Sequence, residues 1–476
     1  MKKTLLNIFY NAVYQIFLVL VPLITVPYIS RTLGPKTYGI YSTVNNTIQF
    51  LMVFCTLSIS YIGMRSISRA RATASPKQLA ETFWGLWYFQ ALASLIMISL
   101  TFLVVTIVPV KYGQYYFLMI PFLISAQLDI SWFFQGLAQF GKVVLRNTLV
   151  KLVSVVLIFT LVKSPQDLGK YMLIMSVSTL LGSLVFWLNI RRYVGNPTNH
   201  FYQYRQSVKA IITLLIPQIA TQVYTSLDKP ILGAFQNSTQ VAFYDNSQKI
   251  SNLILGVITS ITLVMMPKMA TEGKETQRVV LRKSLETTVM LGLLFAVIVM
   301  TNTKEFVPFF FGVKYIPMIP LMFFFTLTII IIPLGGVFAN QFALANNRDR
   351  DYAVPVVIGA VLEVILSFFL DQHFGAVGAL VAVLLTEISV CLLRVWIVRD
   401  AYDFKYTFKD IPKYFLIGLI SFAIGMVLPS PLHSAFLNMA IKSIIVIVVY
   451  FVLMFKVKLE LNADIIQLVR RMLKKG

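Results

Sequence analysis

Apolar runs of roughly twenty residues recur from the start of this chain to near its end, and no other feature constrains the fold as much. A bilayer hydrocarbon core about 30 Å thick is crossed by an α-helix of about 20 such residues. By that measure fourteen spans are expected, near 6–30, 38–62, 81–109, 114–139, 143–162, 171–190, 210–233, 239–267, 284–303, 315–338, 353–370, 375–398, 413–430 and 434–455. Lipid cannot satisfy free backbone groups, and the runs lack the two-residue alternation of a barrel strand, so the spans must be helices. Only 13% of residues are charged, against about a quarter in a globular domain. The expected fold is an all-α, polytopic membrane protein.

A net charge of +22 would suit a nucleic-acid binder if it formed a stripe or patch. Here the basic residues are divided among short loops, so no nucleic-acid partner is expected. Outer loops would hold only Arg31, Lys36, Lys111, Lys163, Lys170, Lys304 and Lys314, and the far more numerous remaining loop cations fall in the alternate, inner segments. That bias places both termini in the cytoplasm. The first apolar run is too long for a signal peptide and is read as retained. Cys55 and Cys391 lie inside apolar runs, and His200, His373 and His433 have no ligand spacing, so neither a disulfide framework nor a metal is expected.

No loop exceeds about 20 residues, so no extramembrane domain carries separate chemistry. The 191–209 loop falls between spans six and seven and divides two lobes, 1–195 and 196–400, with 401–476 adding two helices and a basic tail. A faint repeat agrees: Pro22 answers Pro217, Leu33–Gly34 answers Leu232–Gly233, and Gly39-Ile40-Tyr41 answers Ala242-Phe243-Tyr244. Six spans separate the copies, so the repeats are parallel.

Three segments resemble the polysaccharide-transport branch of the multidrug/oligosaccharidyl-lipid/polysaccharide exporter superfamily: PYISRTLGPKTYGIYS (Pro27–Ser42), SLDKPILGAF (Ser226–Phe235) and VAFYDNSQKI (Val241–Ile250). Ala242 stands where that family often has Gly, a small-for-small change. The resemblance implies two pseudo-symmetric six-helix lobes facing each other in a V, plus two C-terminal helices. It also implies a flippase in the bacterial cytoplasmic membrane. Such a protein moves undecaprenyl-pyrophosphate-linked oligosaccharide units outward for capsule, exopolysaccharide or O-antigen, alongside glycosyltransferases and a polymerase of the same pathway.

Charges inside a bilayer cost about 2.5–3.5 kcal/mol each on insertion scales, so each needs a reason. Asp129 and Lys151 sit at similar depth in neighbouring spans and are expected to pair, with Lys151 facing a substrate cavity. Asp245 and Lys249 are one helical turn apart and form a local pair. Asp228 and Lys229 precede Pro230, which disturbs the helix. Arg31, Lys151, Lys229 and Lys249 are the candidate ligands for pyrophosphate and sugar, because cations make charge-assisted hydrogen bonds to phosphate oxygens. Asp228, Glu363 and Glu387 are candidates for a coupling cation or proton. The resemblance places such a site on acids of the second lobe, by helix position alone. Arg394 and Lys442 are expected to snorkel.

The aromatic run Phe83–Gln90 reads as an interfacial belt. Asp349-Arg350-Asp351 matches a glycosyltransferase D-x-D pattern without a nucleotide-binding domain, and no P-loop is present, so neither catalysis nor a cofactor is expected beyond Na+ or H+ coupling. Three functions fit the architecture: an oligosaccharide flippase, a drug or lipid II exporter of the same superfamily, or a polysaccharide polymerase. The short outer loops argue against the polymerase, and Pro27–Ser42 favours the flippase.

Overall fold

The computed structural model describes residues 2–72, 75–197, 218–263, 273–457 and 459–462, with single positions 211, 215, 216 and 269. Side chains are described from residue 20 onward, apart from 224, 261–263 and 274. Pro217 of the repeat, His200, the second half of the 191–209 loop and the basic tail beyond Asn462 lie outside the described residues. Every element within them is helical. Among the described residues ten helices are long and apolar enough to cross a membrane, which makes this a multi-pass membrane protein.

Two of those ten, Leu20–Ala72 and Asp349–Ile397, are 53 and 49 residues long. A straight helix of that length would run for more than about 70 Å, twice what a bilayer core needs. Each is broken by a glycine in the left-handed region, Gly34 (φ 71°) and Gly375 (φ 59°), a conformation that costs other residues their Cβ contacts. Gly34 falls between two expected spans and Gly375 is the first residue of the later of its two. Two other expected spans miss the apolar standard. One, 210–233, lies partly outside the described residues; the other, in Ser238–Leu263, carries Asp245, Asn246, Gln248 and Lys249.

The chain forms two compact units, Met1–Ala242 and Phe243–Gly476. The first contains α1 (Lys2–Thr56), α2 (Ile59–Ala72), α3 (Pro76–Ile107), α4 (Gly113–Leu128), α5 (Ser131–Gly136), α6 (Phe140–Leu161), α7 (Leu168–Trp187), α8 (Arg191–Val194) and α9 (Asp228–Phe235). A further helix, α10 (Ser238–Leu263), begins there and continues into the second unit. The expected continuous span 114–139 is in fact interrupted: α4 stops at Leu128 and α5 starts at Ser131.

A break at membrane depth frees carbonyls that lipid cannot serve. Side chains serve them here. Gln90 Nε2 donates to the carbonyls of Ala126 (2.5 Å) and Asp129 (3.0 Å), Trp87 Nε1 to Gln127 (3.1 Å) and Trp187 Nε1 to Leu128 (2.7 Å). The run Phe83–Gln90 is therefore not an interfacial belt. Phe83, Trp84 and Leu86 are buried with Trp132, Phe133 and Phe186 in one aromatic core, and Trp87 and Gln90 spend their polar atoms on the broken helix.

The repeat drawn through Leu33–Gly34 and Leu232–Gly233 also needs correction, because Gly34 breaks a helix while Gly233 lies inside α9. The two copies nonetheless touch. An added Cβ on Gly39 would fall 1.6 Å from the Ser238 carbonyl oxygen, so only glycine permits this crossing.

The second unit contains α11 (Lys274–Phe310), α12 (Ile319–Phe325), α13 (Thr328–Gly336), α14 (Asp349–Ile397), α15 (Phe404–Phe408), α16 (Ile411–Val427) and α17 (Ala435–Lys456). Lipid is as apolar as leucine, so tight packing and polar contacts hold such helices together. Arg282, buried on α11, bonds Glu286 (2.8 Å), Asp410 (2.7 Å) and Glu460 (3.1 Å). Its guanidinium lies 4.7 Å from the Tyr406 ring centre. Lys442 does not snorkel: its ammonium meets Glu305 at 2.8 Å and ties α17 to α11.

Candidate functional site

A pocket of about 300 Å³, mostly apolar in its lining but carrying a cluster of polar groups, opens inside the first unit between α1, α6 and α7. Val21 and Thr25 come from α1, and Tyr171, Met175 and Thr179 from α7. From α6 come Arg146, Asn147, Val150, Lys151, Ser154, Val155 and Ile158. Helical periodicity explains the α6 contribution, since positions three and four apart share a face. The hydroxyls of Thr25, Ser154 and Thr179 each donate to the carbonyl four residues earlier, at 2.9, 2.7 and 2.8 Å. Their oxygen lone pairs remain available to accept from a ligand. The Tyr171 ring is set by an edge contact with Tyr41, with centroids 4.7 Å apart.

Charge at this pocket differs from expectation. Asp129 is bonded to Arg146, Oδ1 to Nη2 at 3.1 Å, not to Lys151. Two features of the fold cause the exchange. Arg146, which the charge bias sets among the inner-loop cations, lies inside α6, whose first residue is Phe140. The α4–α5 break then presents the Asp129 carboxylate, which also accepts from the Ser131 amide at 2.9 Å. The guanidinium is held further by the Asn147 side-chain oxygen at 2.9 Å and by the Phe186 ring, 4.4 Å from its centre. Among the described residues Lys151 has no ion-pair or hydrogen-bond partner. It lines the pocket as a half-buried cation with its charge uncompensated.

The remaining candidates are placed differently. Arg31 is exposed, three residues before the Gly34 break. Lys229 is buried, and its ammonium reaches Asp228 Oδ1 at 2.9 Å and the Thr225 carbonyl at 2.8 Å. That carbonyl belongs to a π-helical turn, Val223–Leu227, just ahead of Pro230. The pair thus stitches an irregular stretch of backbone. Lys249 bonds Asp245 at 2.6 Å on α10, the expected local pair, within the second unit. Glu363 and Glu387 are both buried on α14, and Ser367 donates to Glu363 at 3.3 Å. Of the four candidate cations, Lys151 alone lines the pocket, and Arg146 joins it unforeseen. Asp371, fully buried on α14, was also missed, because it falls where a loop was expected.

Comparison with known proteins agrees with this architecture. Residues 4–272, more than half of the chain, match the family described as "Polysaccharide biosynthesis protein". The chain belongs to that family. Within it, the chain is 24% identical over 403 residues to a protein of Escherichia coli (strain K12) named "Putative O-antigen transporter", covering 83% of this chain and 96% of that protein. A protein of the same name from Shigella dysenteriae is 22% identical over 415 residues, covering 84% and 100%. Among solved structures, the fold is similar to "Lipid II flippase MurJ, inward closed conformation", with a TM-score of 0.76, 12% identity, and 94% and 98% of the two chains covered. It is also similar to an inward-facing multidrug resistance MATE family transporter of the MOP superfamily, with a TM-score of 0.63, 14% identity, and 82% and 97% covered. These relatives carry transporter and flippase names, and the family resemblance read from Pro27–Ser42 is borne out.

Proposed function

We propose that the protein flips undecaprenyl-pyrophosphate-linked oligosaccharide units from the inner to the outer leaflet of the bacterial cytoplasmic membrane, by alternating access. The observation that carries this reading is the uncompensated Lys151 in this pocket within a membrane helix. An unpaired cation at such depth costs free energy unless a ligand repays it. A pyrophosphate would do so: Lys151 supplies a mobile ammonium, while Arg146 supplies a guanidinium already oriented by Asp129 and Phe186. Tyr171, Asn147 and the pocket hydroxyls suit the sugar, whose many hydroxyls need both donors and acceptors. The family and the O-antigen transporter relatives support the substrate class.

We assign the lobes to 1–195 and 196–400, with 401–476 as an appended pair, and place both termini in the cytoplasm. The buried acids Glu363 and Glu387 are the assigned positions for a coupling Na+ or H+. Asp228 is a poorer position, because protonating it would strand the buried Lys229. Arg31 and Lys249 are secondary candidate cations for the anionic head group.

Disrupting the gene in its host tests the reading. Lipid-linked units should accumulate on the inner leaflet while surface polysaccharide disappears. Units found outside but unpolymerised would overturn it in favour of a polymerase.

A further inference from the structure

We propose that the furrow between α6 and α7 holds the hydrocarbon chain of the transported lipid while its head group occupies the charged pocket. This inference rests on the proposed function for the head-group site. The furrow has a volume of about 510 Å³ and is lined by Leu149, Val153, Leu157, Ile174, Val177 and Leu181, with Ser178 and Gly182 at its floor. Along α6 the two cavities alternate: Lys151 and Ser154 face the charged pocket, Val153 and Leu157 the furrow, and Val150 lines both. Along α7, Met175 and Thr179 face the pocket, and Ile174 and Ser178 the furrow. The α6–α7 seam is therefore a wall common to a charged site and an apolar one.

That wall is thin. A Cβ on Gly182 would fall 2.5 Å from Val150 Cγ2 and 3.5 Å from Arg146 Cδ, so the helices meet over a residue with no side chain. Small residues let membrane helices approach this closely. An amphiphile with a charged head in the pocket must carry its chain out of a cavity lined by Arg146, Asn147 and Lys151, and the adjoining apolar surface is the furrow. From Leu149 to Leu157 the furrow follows about 12 Å of helix rise, a large part of one leaflet. Transfer from lipid to furrow gains little hydrophobic free energy, because both are apolar. The advantage is tethering: a chain seated beside the pocket raises the effective concentration of its own head group there.

The experiment uses the full-length protein in lipid nanodiscs and two pyrophosphate-linked saccharide probes, one on a geranyl chain and one on an undecaprenyl chain. The furrow-filling double variant Leu157→Trp, Val177→Trp should bind the geranyl probe as the parent does and the undecaprenyl probe roughly tenfold more weakly. Lys151→Ala should weaken both. Undecaprenyl binding unchanged in the filled variant overturns the furrow and leaves the head-group pocket standing, whereas geranyl binding unchanged in Lys151→Ala overturns the pocket itself. A benzophenone amino acid at Val153 gives an independent readout without filling the furrow. It should cross-link the undecaprenyl probe in preference to phospholipid, compared with the same label at Leu416 of α16, which is 58% exposed and lies outside the furrow. The same ratio at both positions would mean ordinary annular lipid and overturn the proposal.

Discussion

Replacing Lys151 with alanine removes a cation that has no ion-pair partner among the described residues, and the consequences for stability and for transport should have opposite signs. A charge of this kind at bilayer depth costs about 2.5–3.5 kcal/mol on insertion scales. Lys151 is half-buried beside a pocket with a cluster of polar groups, so part of that cost is relieved by water, and a gain of about 1 kcal/mol on its removal is the reasonable scale. Transport of a pyrophosphate-linked substrate should fall severely, because charge-assisted hydrogen bonds contribute about 1.5–3 kcal/mol each, or more than tenfold in affinity. Lys151→Arg should keep part of the activity. The assay pairs thermal unfolding in detergent with flipping of a fluorescent lipid-linked oligosaccharide in proteoliposomes. The result that would refute the reasoning is specific: Lys151→Ala loses stability, and adding Asp129→Ala restores both stability and flipping. Removing both partners of an ion pair is often tolerated where removing one is not, so recovery would mean that Lys151, not Arg146, is the partner of Asp129.

Other positions separate structural from transport roles. Gly39→Val should lower thermal stability by at least about 1–3 kcal/mol, because its Cβ cannot coexist with the Ser238 carbonyl. Gly256→Ala, with open space around it on α10, should be neutral or stabilising in the same unfolding measurement. Lys442→Met and Glu305→Gln should each destabilise, and the double variant should recover most of the loss; additive losses would show that the 2.8 Å pair is not energetically coupled. For orientation, a cysteine at Arg192 should resist membrane-impermeant reagents in whole cells while one at the exposed Asn237 is labelled. The reverse pattern would invert the assigned topology.

Much of the fold was legible because a bilayer imposes a single length scale. Most described residues of the expected spans are helical, and glycine breaks at Gly34 and Gly375 mark the joins between successive spans. What hydropathy could not mark was irregularity inside a run. The 114–139 segment stays apolar across Asp129, and nothing in its periodicity separates a continuous helix from one interrupted for two residues. The signal lay elsewhere in the chain. Gln90, Trp87 and Trp187 are polar-tipped side chains in otherwise apolar helices, and each needs a partner when buried. Read as a belt, the run Phe83–Gln90 would leave those donors to interfacial water. Read as a demand for acceptors, it would have pointed to a nearby helix with free carbonyls.

The site was legible in its leading residue and obscured in its partners because cations near helix ends were read as loop charges. The charge bias sets Arg146 with the inner-loop cations although it falls within the expected span 143–162, and the expected start near 284 leaves Arg282 in a loop. Both arginines lie within their helices and both hold carboxylates. Apolar counting trims a span where charge begins, yet buried charge is what a transporter must keep in order to bind an ionic substrate. The same bias then assigned Asp129 to the only cation left in view, Lys151. With Arg146 restored, the first unit presents one neutralised guanidinium and one uncompensated ammonium on successive turns of α6. Two fully paired cations would give the pocket little net attraction for an anion. Two unpaired ones would raise the cost of insertion and bind a pyrophosphate too tightly to release it, since a flippase must let go on the far side as readily as it captures. One of each gives orientation from Arg146 and net charge from Lys151, a balance suited to a substrate that has to pass through.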